Sequence, residues 1–359
     1  MSDLRTPLTV ALEGAASTAS DLGVTVAGDY GDPAGEERAF TDGAALVDRC
    51  ARGAVLVSGP DAFTFLQSLL SQDIDALADG QGVHALLLQP QGKLDTDLRL
   101  LRVGNAAWLD CEVGRGEALA ASLRRFKIRI KAEVEDRTGD RGCLTLRGPE
   151  IAARVEAAGG PPLPAEPHAH VPWPGTGDTR LVRADWRGGP PGADVVGPVG
   201  ELEGLWTGLV AAGFRPAGLT AYEAARVGAG VPRQGLDIDE KTIPQEAFLE
   251  LDAVSFTKGC FLGQELVCRI DTRGHVNRLL RGLRIGESGV SGIDTTPPAG
   301  AGIVVGDKEV GALTTVARSG SGVLALGYMR REVEVPTDVL VRWSGGEVAA
   351  EAVALPERA

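Results

Sequence analysis

The sequence is short of the features that would commit it to a membrane or a nucleic acid. No apolar run approaches the ~20 residues that cross a bilayer. The start, MSDLRTPLTVALEG, lacks the basic stretch and apolar core of a secretory signal. A cytoplasmic protein with no membrane partner is expected. Positive charge is scarce: 36 Lys+Arg against 49 Asp+Glu leave −13, a sign that repels phosphate backbones and argues against bulk nucleic-acid binding. The 4 histidines show no H-E-x-x-H or Cys/His ligand spacing, so no metal site is expected, and His168-x-His170 falls in a proline-rich stretch expected in solvent. The 5 cysteines (Cys50, Cys111, Cys143, Cys260, Cys268) are odd in number and form no C-x-x-C, which suits a reducing compartment. There is no G-x-S-x-G nucleophile elbow and no G-x-x-x-x-G-K-[ST] phosphate loop.

Against these absences stand 359 residues, 43% apolar and 24% charged, the usage of a folded protein and more than one core usually serves. The first forty residues read as a strand-poor lead-in. An apolar strand at 53–58 then runs into Gly59-Pro60-Asp61 and the helical spacing Phe63, Leu66, Leu69, Leu70. Proline fits a first helical position because its missing N–H would be unpaired there anyway. The same cassette returns at 143–151, with Pro149 where the first has Pro60, so the region reads as a duplicated α+β unit. Between the copies, residues 85–93 read as strand and turn and 94–103 as the returning strand. There Leu94, Thr96, Leu98 and Leu100 share one face and Asp95, Asp97 and Arg99 the other. Prolines punctuate 159–198 too densely for a long helix. Helices are expected at 201–212 and 220–227. Short β-like runs from 282 onward (282–285, 302–305, 309–317, 323–329, 339–343) predict a small barrel or sandwich. Two domains follow, 1–281 and 282–359.

The densest chemistry is Lys258-Gly259-Cys260-Phe261-Leu262-Gly263-Gln264-Glu265. Two glycines bracket the cysteine and permit a tight turn that exposes the thiol, while Gln264 can start a helix with Glu265 and Arg269 paired at i,i+4. A thiol beside Lys258 and a helix N-terminus favours thiolate. The plainer reading is a small buried hydrophobe, since free cysteine is among the most buried residue types. Asp95 and Asp97 likewise have two readings: carboxylates facing a pocket, or solvated groups paired with Arg99.

The motif Lys258-Gly259-Cys260-Phe261-x-Gly263-Gln264-Glu265 resembles the K-G-C-[YF]-x-G-Q-E signature of the YgfZ family. These folate-binding proteins are similar to the glycine cleavage T-protein, an aminomethyltransferase, and are implicated in iron–sulfur cluster assembly or repair. The segments 57–67, 242–246 and 324–330 agree with it. The resemblance implies an α+β fold: duplicated ferredoxin-like halves of an aminomethyltransferase-type folate-binding domain, then a C-terminal β-barrel. It implies tetrahydrofolate in a central pocket, with Lys258, Gly259, Cys260, Gly263, Gln264, Glu265, Asp95 and Asp97 near it, and iron–sulfur client or assembly proteins as partners. Cys260, Lys258 and Asp97 are the candidates for chemistry, Asp97 aligning with the aspartate that follows the aminomethyltransferases' Gly-Gly turn.

Two departures bear on activity. Where those enzymes carry R-x-E-x-G, with the glutamate anchoring the pterin, this chain reads Arg226-Val227-Gly228-Ala229-Gly230, and Lys93 replaces the second glycine of the turn. Either another acid, such as Glu223, Glu246 or Glu265, takes that place or folate binds weakly or differently, and Arg226 would meet a folate glutamate tail or form a surface ion pair. The expected function is a tetrahydrofolate-binding accessory protein for iron–sulfur clusters and not a conventional aminomethyltransferase. The alternatives are a folate-dependent one-carbon or aminomethyl transferase and a folate-independent scaffold.

Overall fold

The computed structural model describes residues 4–285, 296–320 and 322–355. The lead-in is more structured than its composition suggests: helices Thr9–Glu13 and Pro33–Asp42 flank an antiparallel hairpin, Ser17–Asp21 and Val24–Asp29. Its turn is Leu22-Gly23, both at positive φ, the two-residue geometry that suits strand twist. Strands of five and six residues around a Leu-Gly turn carry too little alternation to stand out.

The two proline cassettes open two facing sheets. The first sheet runs in the order Gly82–Leu88, Leu94–Val103, Ala106–Cys111, Gly53–Ser58, Glu133–Asp136. Helices Ala62–Leu69 and Gly116–Phe126 cover one face through Val55, Val57, Leu66, Leu98, Leu100, Leu119 and Leu123. The second sheet runs His170–Pro172, Arg180–Arg183, Gly192–Pro198, Arg141–Arg147, Ala45–Asp48, Arg215–Pro216, under helices Ile151–Ala157 and Val199–Ala211. The duplication extends to the turns. Gly59 and Gly148 both hold positive φ, and a Cβ on either would sit 2.6 Å from Lys131 O or 2.3 Å from Gly43 O. Glycine is required there in both copies.

A third group of elements follows: helix Leu219–Gly228, the single turn Pro244–Glu246, helix Glu250–Ala253 and helix Gln264–Arg273. It packs between the end of the first sheet and a closed six-stranded barrel ordered Arg278–Ile285, Gly322–Arg330, Lys308–Ser319, Gly302–Val305, Thr337–Trp343, Gly346–Val353. The last strand closes the ring on the first, Gly282 opposite Val353. GEVAAEAV shows little strand signal in the sequence because alanine is a weak strand former. Its alternate residues Val348, Ala350 and Ala352 nevertheless point inward. His170 is a second difference from expectation: it lies on a strand and is 2% exposed. Among the described residues, no helix is long and apolar enough to cross a membrane.

Candidate functional site

The signature loop is held from both sides. Lys258 Nζ donates to the carbonyl oxygens of Gln67 (2.9 Å), Leu70 (2.8 Å) and Gln72 (2.8 Å), and lies 3.3 Å from Gln67 Oε1. The ammonium thus caps the C-terminus of helix Ala62–Leu69, where carbonyls lack helical partners. Burial pushes Lys258 down to about 8, against the pull of Asp73 and Asp75. On the other side Gly263, at φ 78°, presses on the turn of residues 89–94: a Cβ there would meet Gln89 O at 2.4 Å and Leu88 Cβ at 2.8 Å. Gly92 in that turn, at φ 80°, would reciprocally meet Leu266 Cβ at 2.6 Å and Gly263 O at 2.9 Å. The two glycines interlock. Phe261 is buried, and its N–H is accepted by Gln264 Oε1 at 3.1 Å.

Cys260 itself is exposed, and Gly259 beside it faces open space. The buried-hydrophobe reading of the cysteine is therefore wrong. Cys111 and Cys143 on the sheets and Cys50 in the turn after strand Ala45–Asp48 are the buried ones, and burial raises all three thiols, that of Cys143 to about 12. Helix Gln264–Arg273 starts where expected, with Glu265 and Arg269 paired at 2.8 Å on its exposed face.

Asp97 lies on the inter-sheet face of strand Leu94–Val103, half-buried, with Oδ1 2.5 Å from His84 Nε2. Gln234 ties this strand end to the third lobe: its Oε1 accepts from Asp97 N–H at 3.0 Å and its Nε2 donates to Asp95 O at 2.7 Å. Asp95 accepts from Thr96 Oγ1 and Ser122 Oγ. Arg99, the expected solvent partner of both, instead bonds Asp110 and Asp194. No hydrogen bond or ion pair joins Asp95 or Asp97 to Lys258, Cys260 or Glu265. The structure gives two neighbouring features, a strand end with carboxylates and a loop with a thiol, linked by the Gly92–Gly263 contact.

The other nominated groups are already engaged. Arg226 is fully buried, with Asp237 Oδ2 at 2.6 Å, Glu223 Oε2 at 2.5 Å and Thr315 Oγ1 at 3.2 Å. Burial works against its charge, but Asp237 and Glu223 outweigh it. Neither a folate tail nor a surface ion pair describes it. Glu246 is clamped by Arg278 through two 3.0 Å contacts. Glu223 serves both Arg226 and Arg233. At position 228 a side chain would start 3.3 Å from Leu324 of the barrel.

Sequence reasoning missed the hub of the lobes. Arg233 meets Asp21 (2.6 Å), Glu112 (2.9 Å) and Glu223 (2.6 Å), while Arg49 meets Asp21 (2.5 Å) and Glu112 (2.6 Å). Burial opposes ionisation of Glu112, yet Arg49, Arg233 and Arg52 hold its carboxyl well below the usual range. Tyr222 lies under both Arg49 and Arg233. These residues come from remote segments, and no local pattern could have paired them.

Two facing α+β lobes, a third lobe and a closed barrel define an aminomethyltransferase T-like architecture. The glycine cleavage system aminomethyltransferase T from Bartonella henselae superposes with a TM-score of 0.85 over 98% of this chain and 97% of that one, at 24% identity. The chain belongs to the GCVT family, whose N-terminal domain model matches residues 26–258. Similar proteins include an aminomethyltransferase of Rubrobacter xylanophilus, 29% identical over 317 residues (86% of this chain, 82% of the relative). A putative chloroplastic transferase of Arabidopsis thaliana is 26% identical over 323 residues (87% and 71%). An aminomethyltransferase of Chlorobaculum parvum is 30% identical over 291 residues (74% and 75%).

Proposed function

We propose that this chain is an accessory member of the family. It supports assembly or repair of iron–sulfur clusters in client proteins through the Cys260 thiol, and it takes tetrahydrofolate beside Asp97. One observation carries the reading: the signature loop is locked by Lys258 on one side and by the interlocked glycines on the other, yet the thiol between them is exposed. A loop conserving only its own packing needs no thiol at its tip. The likeness of the loop to the YgfZ signature supplies the cluster assignment.

For folate, a reduced pterin that carries one-carbon units, the residues fit on one side. Asp97 offers a half-buried acceptor to pterin or linker N–H groups, with His84 orienting it and Gln234 fixing the strand, whereas the Asp95 carboxylate is engaged by Ser122 and Arg125 of helix Gly116–Phe126. The aminomethyltransferase pterin anchor does not fit, because Gly228 has no carboxylate and Glu223 and Glu246 are engaged by arginines. This favours binding without transfer. Lys93 carries no such weight: only Gly92 in that turn holds positive φ, so the backbone accepts a lysine at 93.

Cys260→Ala should leave unfolding unchanged, because the side chain is exposed, while activities of iron–sulfur enzymes fall in cells carrying only that variant. Normal activities would overturn the cluster role. Calorimetric titration with 5-formyltetrahydrofolate should show saturable micromolar binding, about −8 kcal/mol. No heat from folded, reduced protein would replace the folate part with the scaffold reading.

A further inference from the structure

The chain carries −13 net, yet Arg124-Arg125-Phe126-Lys127-Ile128-Arg129-Ile130-Lys131 holds five cations and no acid. These residues form the last turn of helix Gly116–Phe126 and the loop that leads to strand Glu133–Asp136. The loop is tied at both ends. Arg124 Nε and Nη2 donate to Val134 O at 3.2 and 2.8 Å, Asp61 Oδ2 accepts from Lys131 N–H at 2.8 Å, and Lys131 O accepts from Asp61 N–H at 3.2 Å. Phe126 and Ile130 pack against the core of the first sheet. Ile128 between them does not: it is 74% exposed, the most of any large hydrophobic residue described.

The cations around it are thinly compensated. Lys127 has Glu133 at 3.1 Å, and Arg125, its side chain 71% exposed, has Asp95 at 4.0 Å. Glu135 and Asp136 follow on the strand, where Glu135 pairs with Arg137 and Asp136 accepts from Thr138 N–H. Among the described residues no ion pair joins Arg124, Arg129 or Lys131 to a carboxylate. Arg129 is also the residue that the backbone suits least. Its φ is 58°, in the left-handed region where glycine is at ease and a residue with a side chain pays in strain. The loop thus carries an arginine where its own geometry prefers glycine.

We propose that this loop docks an acidic protein, Ile128 entering an apolar pocket of the partner while Arg125 and Arg129 meet carboxylates on its rim. Protein interfaces concentrate their affinity in a few desolvated side chains surrounded by a polar rim, and arginine is enriched among them. The excess of cations sets the sign of the partner. A nucleic acid offers no pocket for an isoleucine, and strand-binding surfaces stack bases on exposed aromatic rings, whereas Phe126 is turned to the core. A bilayer would take Ile128, but one inserted side chain and a short basic loop make a weak anchor for a chain of net −13. The docking surface uses neither Cys260 nor Asp97 and does not rest on the function proposed above.

Random peptides displayed on phage and selected on the full-length protein test this. The selected peptides should carry several aspartates or glutamates around one large apolar residue and bind, once synthesised, with micromolar affinity. Ile128→Ser and Arg129→Gly should each weaken that binding by about tenfold, the effect of losing one interface anchor. Arg129→Gly also relieves the left-handed residue, so its thermal midpoint should equal or exceed that of the parent. Weaker binding by a protein at least as stable assigns the loss to the arginine side chain. A selection that yields no acidic binder, or acidic binders that hold both variants as tightly as the parent, overturns the site. Co-sedimentation with phosphatidylserine vesicles, or retention of a labelled oligonucleotide, that is lost in Arg129→Gly overturns the assignment to a protein partner.

Discussion

Replacing Arg233 by methionine tests whether the buried ion cluster holds the lobes together. The guanidinium links Asp21 at the end of the first hairpin, Glu112 after a strand of the first sheet, and Glu223 on helix Leu219–Gly228. All four side chains are mostly buried, Arg233 to 3% exposure. Methionine keeps the bulk and removes the charge. Removing one partner of a buried pair typically costs roughly 3–5 kcal/mol, mostly as the penalty for a carboxylate left without compensation. Here each carboxylate retains another arginine: Asp21 and Glu112 keep Arg49, and Glu223 keeps Arg226. The loss should therefore fall near the lower end, about 3 kcal/mol. That is a large fraction of the roughly 5–15 kcal/mol that holds a typical domain. Urea unfolding followed by tryptophan fluorescence is a suitable assay, because Trp186 packs against Tyr222, the ring beneath Arg233. Arg284→Ala is the control, its 3.4 Å pair with Glu351 being 68% and 44% exposed. The control should cost about 0–1 kcal/mol. If Arg233→Met costs no more than the control, the cluster is not what joins the lobes.

Four further outcomes follow from the geometry. Gly263→Ala forces a Cβ to within 2.4 Å of Gln89 O at positive φ, and should lower the thermal midpoint by several degrees and loosen the signature loop, read as faster hydrogen exchange in residues 258–266. Lys258→Met leaves the carbonyls of Gln67, Leu70 and Gln72 without their donor and should cost about 2 kcal/mol in urea unfolding. Native protein with a disulfide reagent should show one fast thiol, Cys260, and a slower one, Cys268, with Cys50, Cys111 and Cys143 reacting only on unfolding. Burial, aided by Arg180, depresses His170 to about 4. The unfolded chain therefore takes a proton that the folded one refuses, and stability falls as pH drops from about 6.5 to about 4, by about 2–3 kcal/mol. His170→Gln should remove that component, seen by comparing urea midpoints of both proteins at pH 7 and 4.5.

The barrel and the proline cassettes were legible because each is written locally, in alternation along a strand or in a glycine-proline turn that only one backbone geometry satisfies. Helix Gln264–Arg273 and its Glu265–Arg269 pair were readable for the same reason. The hairpin at Ser17–Asp21 and the closing strand Gly346–Val353 were not, one being too short and the other too rich in alanine to display a period. At the candidate site the motif drew attention to a loop whose cysteine is exposed, and what escaped were partners. Nothing near Asp97 in the chain announces His84 or Gln234, and nothing near Arg226 announces Thr315 on the barrel. Burial reversed two expectations built from residue type: Cys260 stands out where cysteines usually hide, and His170 hides in a stretch that composition assigns to solvent.

Gly92 and Gly263 lie far apart in the chain and occupy one another's missing side-chain space. Neither position can drift alone, since a methyl group on either strikes the backbone or side chain of the other's turn. The strand end that bears Asp97 and the loop that bears Cys260 therefore form a single mechanical part: a shift of one turn displaces the other, so the position of the thiol and the position of the carboxylate are set together.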